Sequence, residues 1–177
     1  MSQKIGFVGL GRMGANMARR LNDEGFNVSV VFDIQKKIAN ALAKEIGATA
    51  TASLAKVTEL ADVIITVVTD DKAMDAIFSE KGKSLLTGAE GKIFVNCATV
   101  APATHIKIEK RANKVGASTL EGCMASSITQ AREGTLYLML GGDEAVFKKV
   151  SPVLRKLSKK MSYIGATGEA AKVKVVI

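Results

Sequence analysis

The sequence predicts an α/β protein built on a doubly wound, mostly parallel sheet. Two observations carry that prediction. Short apolar runs of the strand type alternate with longer stretches of helical periodicity along nearly the whole chain, the order expected of a parallel sheet with helices on both faces. The run Val63–Val68 (VIITVV) is also continuous rather than alternating, which marks a strand covered on both sides.

The elements follow in order. Ile5–Gly9 reads as the first strand, and Met13–Glu24 as a helix ended by Gly25. Val28–Phe32 is a second strand, and Gln35–Ile46 a second helix stopped by Gly47. Ala48–Ala50 is a short third strand, and Ser53 can cap a brief helix through Leu60. After Val63–Val68 comes a helix over Asp71–Phe78, a loop rich in Gly and Lys, and a strand at Lys92–Val95. Pro102 suits the first turn of a helix reaching about Val115. Ser118–Leu120, Leu136–Leu140 and Ser162–Ile164 complete the strands, and Asp143 can cap a helix from Glu144 to about Leu157. Gly168–Ile177 (GEAAKVKVVI) begins a last helix that no Gly, Asn or Pro closes.

At 177 residues and 47% hydrophobic content the chain can bury one substantial core. No apolar run approaches the roughly 20 residues of a membrane helix, so no membrane partner is expected. The opening Met1-Ser2-Gln3-Lys4 lacks a signal-peptide layout. The two cysteines, Cys97 and Cys123, form neither CxxC nor a Cys/His cluster. Metal and a disulfide framework are therefore not indicated, and a cytoplasmic, reducing compartment is expected. The net charge of +8 is concentrated late, at Lys148, Lys149, Arg155, Lys156, Lys159 and Lys160. It reads as a solvated helix face: the chain has no Trp and no RNA-binding aromatic motif, so nucleic acid is not expected as a partner.

The chemistry starts at Gly9-Leu10-Gly11-Arg12-Met13-Gly14, a GxGxxG between the first strand and its helix. In that context Gly9 permits the tight turn, Gly11 lets a pyrophosphate approach the backbone, and Gly14 lets helix and strand pack closely. The helix N-terminus adds unpaired N–H groups and partial positive charge. Asp33 ends the second strand, 19 residues past Gly14. That is where a carboxylate accepts from the adenosine ribose hydroxyls and repels a 2′-phosphate. NAD is the expected cofactor, with NADP disfavoured. Asp33 can also cap the next helix, and Lys36 and Lys37 soften the discrimination.

Four stretches taken together, GFVGLGRMGANMARRL (Gly6–Leu21), VNCATVAP (Val95–Pro102), REGTLYLMLGG (Arg132–Gly142) and GATGEAAKVK (Gly165–Lys174), resemble the β-hydroxyacid dehydrogenase family. This family includes 3-hydroxyisobutyrate dehydrogenases, tartronate semialdehyde reductases and relatives of 6-phosphogluconate dehydrogenase. The resemblance implies a Rossmann-type domain over residues 1–164 and the start of an interdomain helix over 165–177, without the family's second, all-helical domain. It further implies that Leu10, Arg12 and Met13 line the pyrophosphate turn and that Val68 and Thr69 face the adenosine half. Thr99 would sit near the nicotinamide, and Lys172 would be the catalytic lysine that shuttles the alcohol proton. Lys174 has no such match. A small anionic substrate is implied, as is a homo-oligomer for a full-length protein. This stretch alone is expected to be monomeric, to bind cofactor and to turn over poorly.

The sequence departs from the family in two places. Where the family's substrate loop reads DAPVSGG, this chain has EGCMASS, Glu121–Ser127. Ala125 replaces the serine that helps hold the substrate carboxylate, while Ser126 and Ser127 replace two glycines and bring hydroxyls, shifted by one residue. Gln130 is placed to point into the same site. The asparagine that follows the family's lysine by a turn is Val176 here, beside Val175. These departures leave two rival readings open: a reductase of imines or of sulfonated or phosphonated aldehydes, and a nucleotide-sensing module without catalysis. Cys123 reads as a small buried hydrophobe, Asp70 and Asp71 as a capping pair, and His105, the only histidine, as a surface residue of the Pro102 helix.

Overall fold

The computed structural model describes residues 2–177; Met1 lies outside the described residues. Eight strands and eight helices alternate: β1 (Lys4–Val8), α1 (Arg12–Asp23), β2 (Asn27–Phe32), α2 (Lys36–Ile46), β3 (Thr49–Ala50), α3 (Leu54–Leu60), β4 (Val63–Thr66), α4 (Asp71–Ile77), β5 (Ile93–Asn96), α5 (Pro102–Lys114), β6 (Ser118–Met124), α6 (Ile128–Glu133), β7 (Leu136–Gly142), α7 (Glu144–Leu157), β8 (Ser158–Gly165) and α8 (Glu169–Val175). They form one eight-stranded sheet in the order β3-β2-β1-β4-β5-β6-β7-β8. Every pairing is parallel except β6 with β7. The chain starts in the middle, winds out one way through β2 and β3, then returns past β1 to build the other half. The switch point lies between β1 and β4, where such sheets open a crevice at the strand carboxyl ends.

Both faces of the sheet are covered. Met17, Leu21, Leu42, Val150 and Leu154 of α1, α2 and α7 pack on one face, and Val57, Met74 and Ile108 of α3, α4 and α5 on the other. β4 and β5 are buried at every position, and the polar residues that end them satisfy each other, Thr66 Oγ1 donating to Asn96 Oδ1 at 2.8 Å. The expected caps form: Ser53 Oγ accepts from Lys56 N, and Asp143 Oδ1 accepts from Ala145 N. No helix of the described residues is long and apolar enough to cross a membrane.

Several boundaries differ from the sequence expectation. Gly9 is not in β1, because its φ of +92° already turns the chain away from the strand. β6 does not stop at Leu120. It runs on through Met124, because Cys123 and Met124 pair antiparallel with Met139 and Leu138 of β7, so half of the expected Glu121–Ser127 loop is strand. β8 is eight residues long rather than three; its lysines sit on an edge strand, where charge blocks pairing with other chains. α6 was not expected. Ser127 and Gln130 close a reciprocal capping box at its start, and Gly134, at φ +73°, ends it.

Candidate cofactor and substrate site

The three glycines of the first turn have separate tasks. A Cβ on Gly9 would lie 2.4 Å from the Val67 carbonyl oxygen, so only glycine lets the β1 turn close against the end of β4. A Cβ on Gly14 would lie 2.0 Å from the Gly9 carbonyl oxygen. Gly11 is different: a Cβ there meets nothing within 4 Å. Its missing side chain leaves open space in front of the turn. Gly11 is also the N-cap of α1 and offers no side-chain cap, so no side chain competes for the first-turn amides. An open cradle before uncapped amides fits a pyrophosphate. Leu10 is 3% exposed and anchors the turn in the core, while Arg12 is exposed and Met13 half-buried.

Asp33 stands behind this turn. Its Oδ2 accepts from Leu10 N and its Oδ1 from Gln35 N, both at 2.8 Å. The carboxylate thus fixes the glycine turn and the entry to α2 together. Each oxygen keeps a lone pair for a further donor, such as a ribose hydroxyl. Val68, half-buried, and Thr69, exposed, follow β4 on the same edge of the sheet.

A second feature lies at the carboxyl end of β5. Thr99, Val100, Cys123, Ala171, Lys174 and Val175 line a cavity of about 150 Å³. α8 follows β8, docks its first turn on β6 and reaches the cavity with Ala171, Lys174 and Val175. Lys174 Nζ donates to Thr99 Oγ1 at 2.7 Å. Lys172, by contrast, is 59% exposed and donates to Glu169 Oε1 at 2.7 Å, one helical turn back. Of the two lysines, the one that the family motif does not match is the one that reaches Thr99.

The loop hydroxyls turn inward on their own backbone. Ser126 Oγ accepts from Tyr137 N at 2.8 Å, and Ser127 Oγ accepts from Gln130 N at 3.3 Å. Gln130 does not face the cavity as its side chain completes the capping box, accepting from Ser127 N at 2.8 Å. Ala125 is exposed. Val175 and Val176 are 81% and 83% exposed.

Sequence reasoning missed the role of Glu121. It is 1% exposed on β6, and its carboxylate accepts from Gly168 N and Ala171 N, each at 2.7 Å. One buried side chain therefore docks the first turn of the lysine-bearing helix. A Cβ on Gly141 of the facing strand would lie 2.5 Å from Glu121 Oε2, so β7 carries glycine there. His105 does not lie on the surface of α5. It is 2% exposed, because residues 104, 105, 108 and 112 form that helix's buried stripe. Its Nε2 has no hydrogen-bond partner among the described residues and lies 3.8 Å from Glu121 Oε1. Burial pushes its pKa below the usual histidine value against the pull of the Glu121 and Asp71 carboxylates. Cys123 Sγ lies 3.7 Å from the same Glu121 oxygen, and burial first, then that carboxylate, pushes its thiol up to about 12. At neutral pH it is a protonated thiol and a poor nucleophile. Asp70 caps α4 as expected, whereas Asp71 reaches across to accept from Ala101 N and Thr104 Oγ1 and ties α4 to α5.

Comparison with known proteins agrees with this geometry. Residues 4–165 match the family described as the NAD binding domain of 6-phosphogluconate dehydrogenase. The 2-(hydroxymethyl)glutarate dehydrogenase of Eubacterium barkeri is 33% identical over 175 residues, which are 99% of this chain and 58% of that protein. The 2-hydroxy-3-oxopropionate reductase of Escherichia coli is 31% identical over 174 residues, 97% of this chain and 58% of that one. Among solved structures, the 3-hydroxyisobutyrate dehydrogenase of Mycobacterium tuberculosis with L-serine superposes with a TM-score of 0.91 at 27% identity, covering 99% of this chain and 59% of its own. The chain thus spans under two thirds of these relatives. With its glycine turn, its Asp33 and its strand order, it belongs to the family of the 6-phosphogluconate dehydrogenase NAD-binding domain.

Proposed function

We propose that the native protein carrying this sequence is an NAD-dependent oxidoreductase. It interconverts a small hydroxy acid and its aldehyde or keto partner, with Lys172 as proton donor and acceptor. The observation that supports this best is the convergence at one sheet edge of the open Gly11 turn and the Thr99 cavity reached by α8. The relatives named above act on, or were solved with, small hydroxy acids, which supports the substrate class. In this reading residues 1–164 are the cofactor domain and 165–177 begin an interdomain helix.

Each residue then has a task. The first-turn amides of α1 hold the pyrophosphate, flanked by Leu10, Arg12 and Met13. Asp33 accepts from the ribose hydroxyls and repels a 2′-phosphate, which favours NAD over NADP. Val68 and Thr69 flank the adenosine half, and Thr99 borders the nicotinamide. When bound, the nicotinamide supplies or accepts hydride. Lys172 exchanges its Glu169 partner for the substrate oxygen and moves the proton. An exposed pair of that kind is worth about 0–1 kcal/mol, so the exchange costs little. The loop over Ala125, Ser126 and Ser127 presents backbone and two serine O–H donors to the substrate, since each Oγ only accepts in its internal bond.

The test is Lys172→Ala in the native protein, assayed with NADH and a series of short semialdehydes. Turnover is expected to fall by about 10²–10⁴-fold, the range of a general acid–base contribution, with NADH affinity unchanged. Equal turnover in both proteins would remove Lys172 from the chemistry. Inactivity of both toward every carbonyl would favour a cofactor-binding module without catalysis.

A further inference from the structure

We propose that Lys174, together with Thr99, is the seat for the substrate's anionic group. The cavity then takes a short aliphatic molecule ending in a carboxylate, sulfonate or phosphonate. This rests on the dehydrogenase reading above and deepens it by naming the residue that selects the substrate.

Three observations converge. First, Ala125 has no hydroxyl at the place where the family motif puts the serine that helps hold the substrate carboxylate. Second, Lys174 is half-buried, lines the cavity, and forms no ion pair among the described residues; its polar contact is the neutral Thr99 hydroxyl. A partly buried cation without a counter-charge attracts an anion more strongly than a solvated one. The neighbouring Cys123 thiol is protonated and adds no competing negative charge. Third, the rest of the lining is apolar: Val100, Ala171 and Val175. At about 150 Å³ the cavity is below the range of drug-sized sites, so the ligand has few heavy atoms. The Thr99 hydroxyl, now accepting from Lys174, can turn to donate to an anion held by the same lysine.

The test uses the whole 177-residue chain, titrated with 3-hydroxypropionate, with 3-hydroxypropane-1-sulfonate, and with the neutral 3-hydroxypropionamide. Backbone amide NMR shifts at Thr99, Cys123 and Ala171 provide the readout. Both anions are expected to shift these amides, and the amide is not. Lys174→Met weakens anion binding by at least about tenfold, as loss of a charged hydrogen bond does. Lys174→Arg retains most of it. Lys148→Met, the same charge change on α7, leaves it unchanged. The proposal is overturned if Lys174→Met binds like the wild type, if acid and amide bind alike, or if neither anion shifts these amides. NADH is titrated separately. A chain that binds NADH but seats no anion loses this proposal alone, and one that seats the anion but never NADH loses the dehydrogenase reading alone.

Discussion

Replacing Gly11 with alanine is expected to preserve the fold and remove most of the cofactor affinity. The backbone there has φ −63° and ψ −173°, which alanine adopts freely, and an added Cβ meets nothing within 4 Å. A Gly→Ala change at such a site stabilises by about 0.4–1 kcal/mol through the unfolded chain. The methyl group projects into the space before the uncapped first turn of α1, so NADH affinity is expected to fall by about tenfold or more, which is about 1.4 kcal/mol or more. Gly14→Ala behaves oppositely. Its Cβ would meet the Gly9 carbonyl oxygen at 2.0 Å, and backbone must move. That variant loses about 1–3 kcal/mol or more of stability and cofactor binding with it. Thermal unfolding and nicotinamide fluorescence, run on both variants, separate the two effects. A Gly11→Ala protein that binds NADH like the wild type would show that the turn is structural only.

Glu121→Ala is expected to release α8. The substitution leaves the Gly168 and Ala171 N–H groups buried without acceptors. Each orphaned donor costs about 1–3 kcal/mol, so the loss is roughly 2–6 kcal/mol, unless α8 undocks to hydrate them. In that case global stability falls less, and the amides of 168 and 171 exchange with solvent far faster than those of β6. Glu121→Gln keeps one acceptor oxygen and turns a donor toward the other N–H, so its effect is intermediate. Urea unfolding with residue-resolved hydrogen exchange measures both. A Glu121→Ala chain within about 0.5 kcal/mol of wild type, with slow exchange at Gly168 and Ala171, would contradict the anchoring role.

The first half of the molecule was largely legible in the sequence because local rules decide it. Gly9, Gly11 and Gly14 between a strand and a helix specify a turn that few other residues can make. Asp33 and Ser53 act within a few residues or on the adjacent turn. The second half depends on partners distant in sequence. The extent of β6 is set by β7 pairing across Cys123 and Met139, and no property of Glu121–Met124 alone announces it. β8 looks too polar for a strand until its place at the sheet edge is known. Other misses had signals. Ser127 and Gln130 stand at capping-box spacing, which marks α6. His105, Ile108 and Ala112 share a helical stripe, which marks the histidine as buried. A glutamate inside an otherwise buried strand asks for a partner, but which partner only the return of α8 reveals. The same holds for the lysines. Two residues apart on a helix, Lys172 and Lys174 face different directions, and only the position of Thr99 decides which one enters the cavity.

In the function proposed above, the Gly9–Gly14 turn and Asp33 form a working site for NAD. It is tested most directly by titrating NADH and NADPH separately into the wild-type chain and following nicotinamide fluorescence, against a background free of tryptophan. Saturable NADH binding at least about tenfold tighter than NADPH is expected, since a carboxylate beside a 2′-phosphate is a like-charge contact. NADPH bound equally well or better would contradict the role given to Asp33, and no binding of either would contradict the site itself.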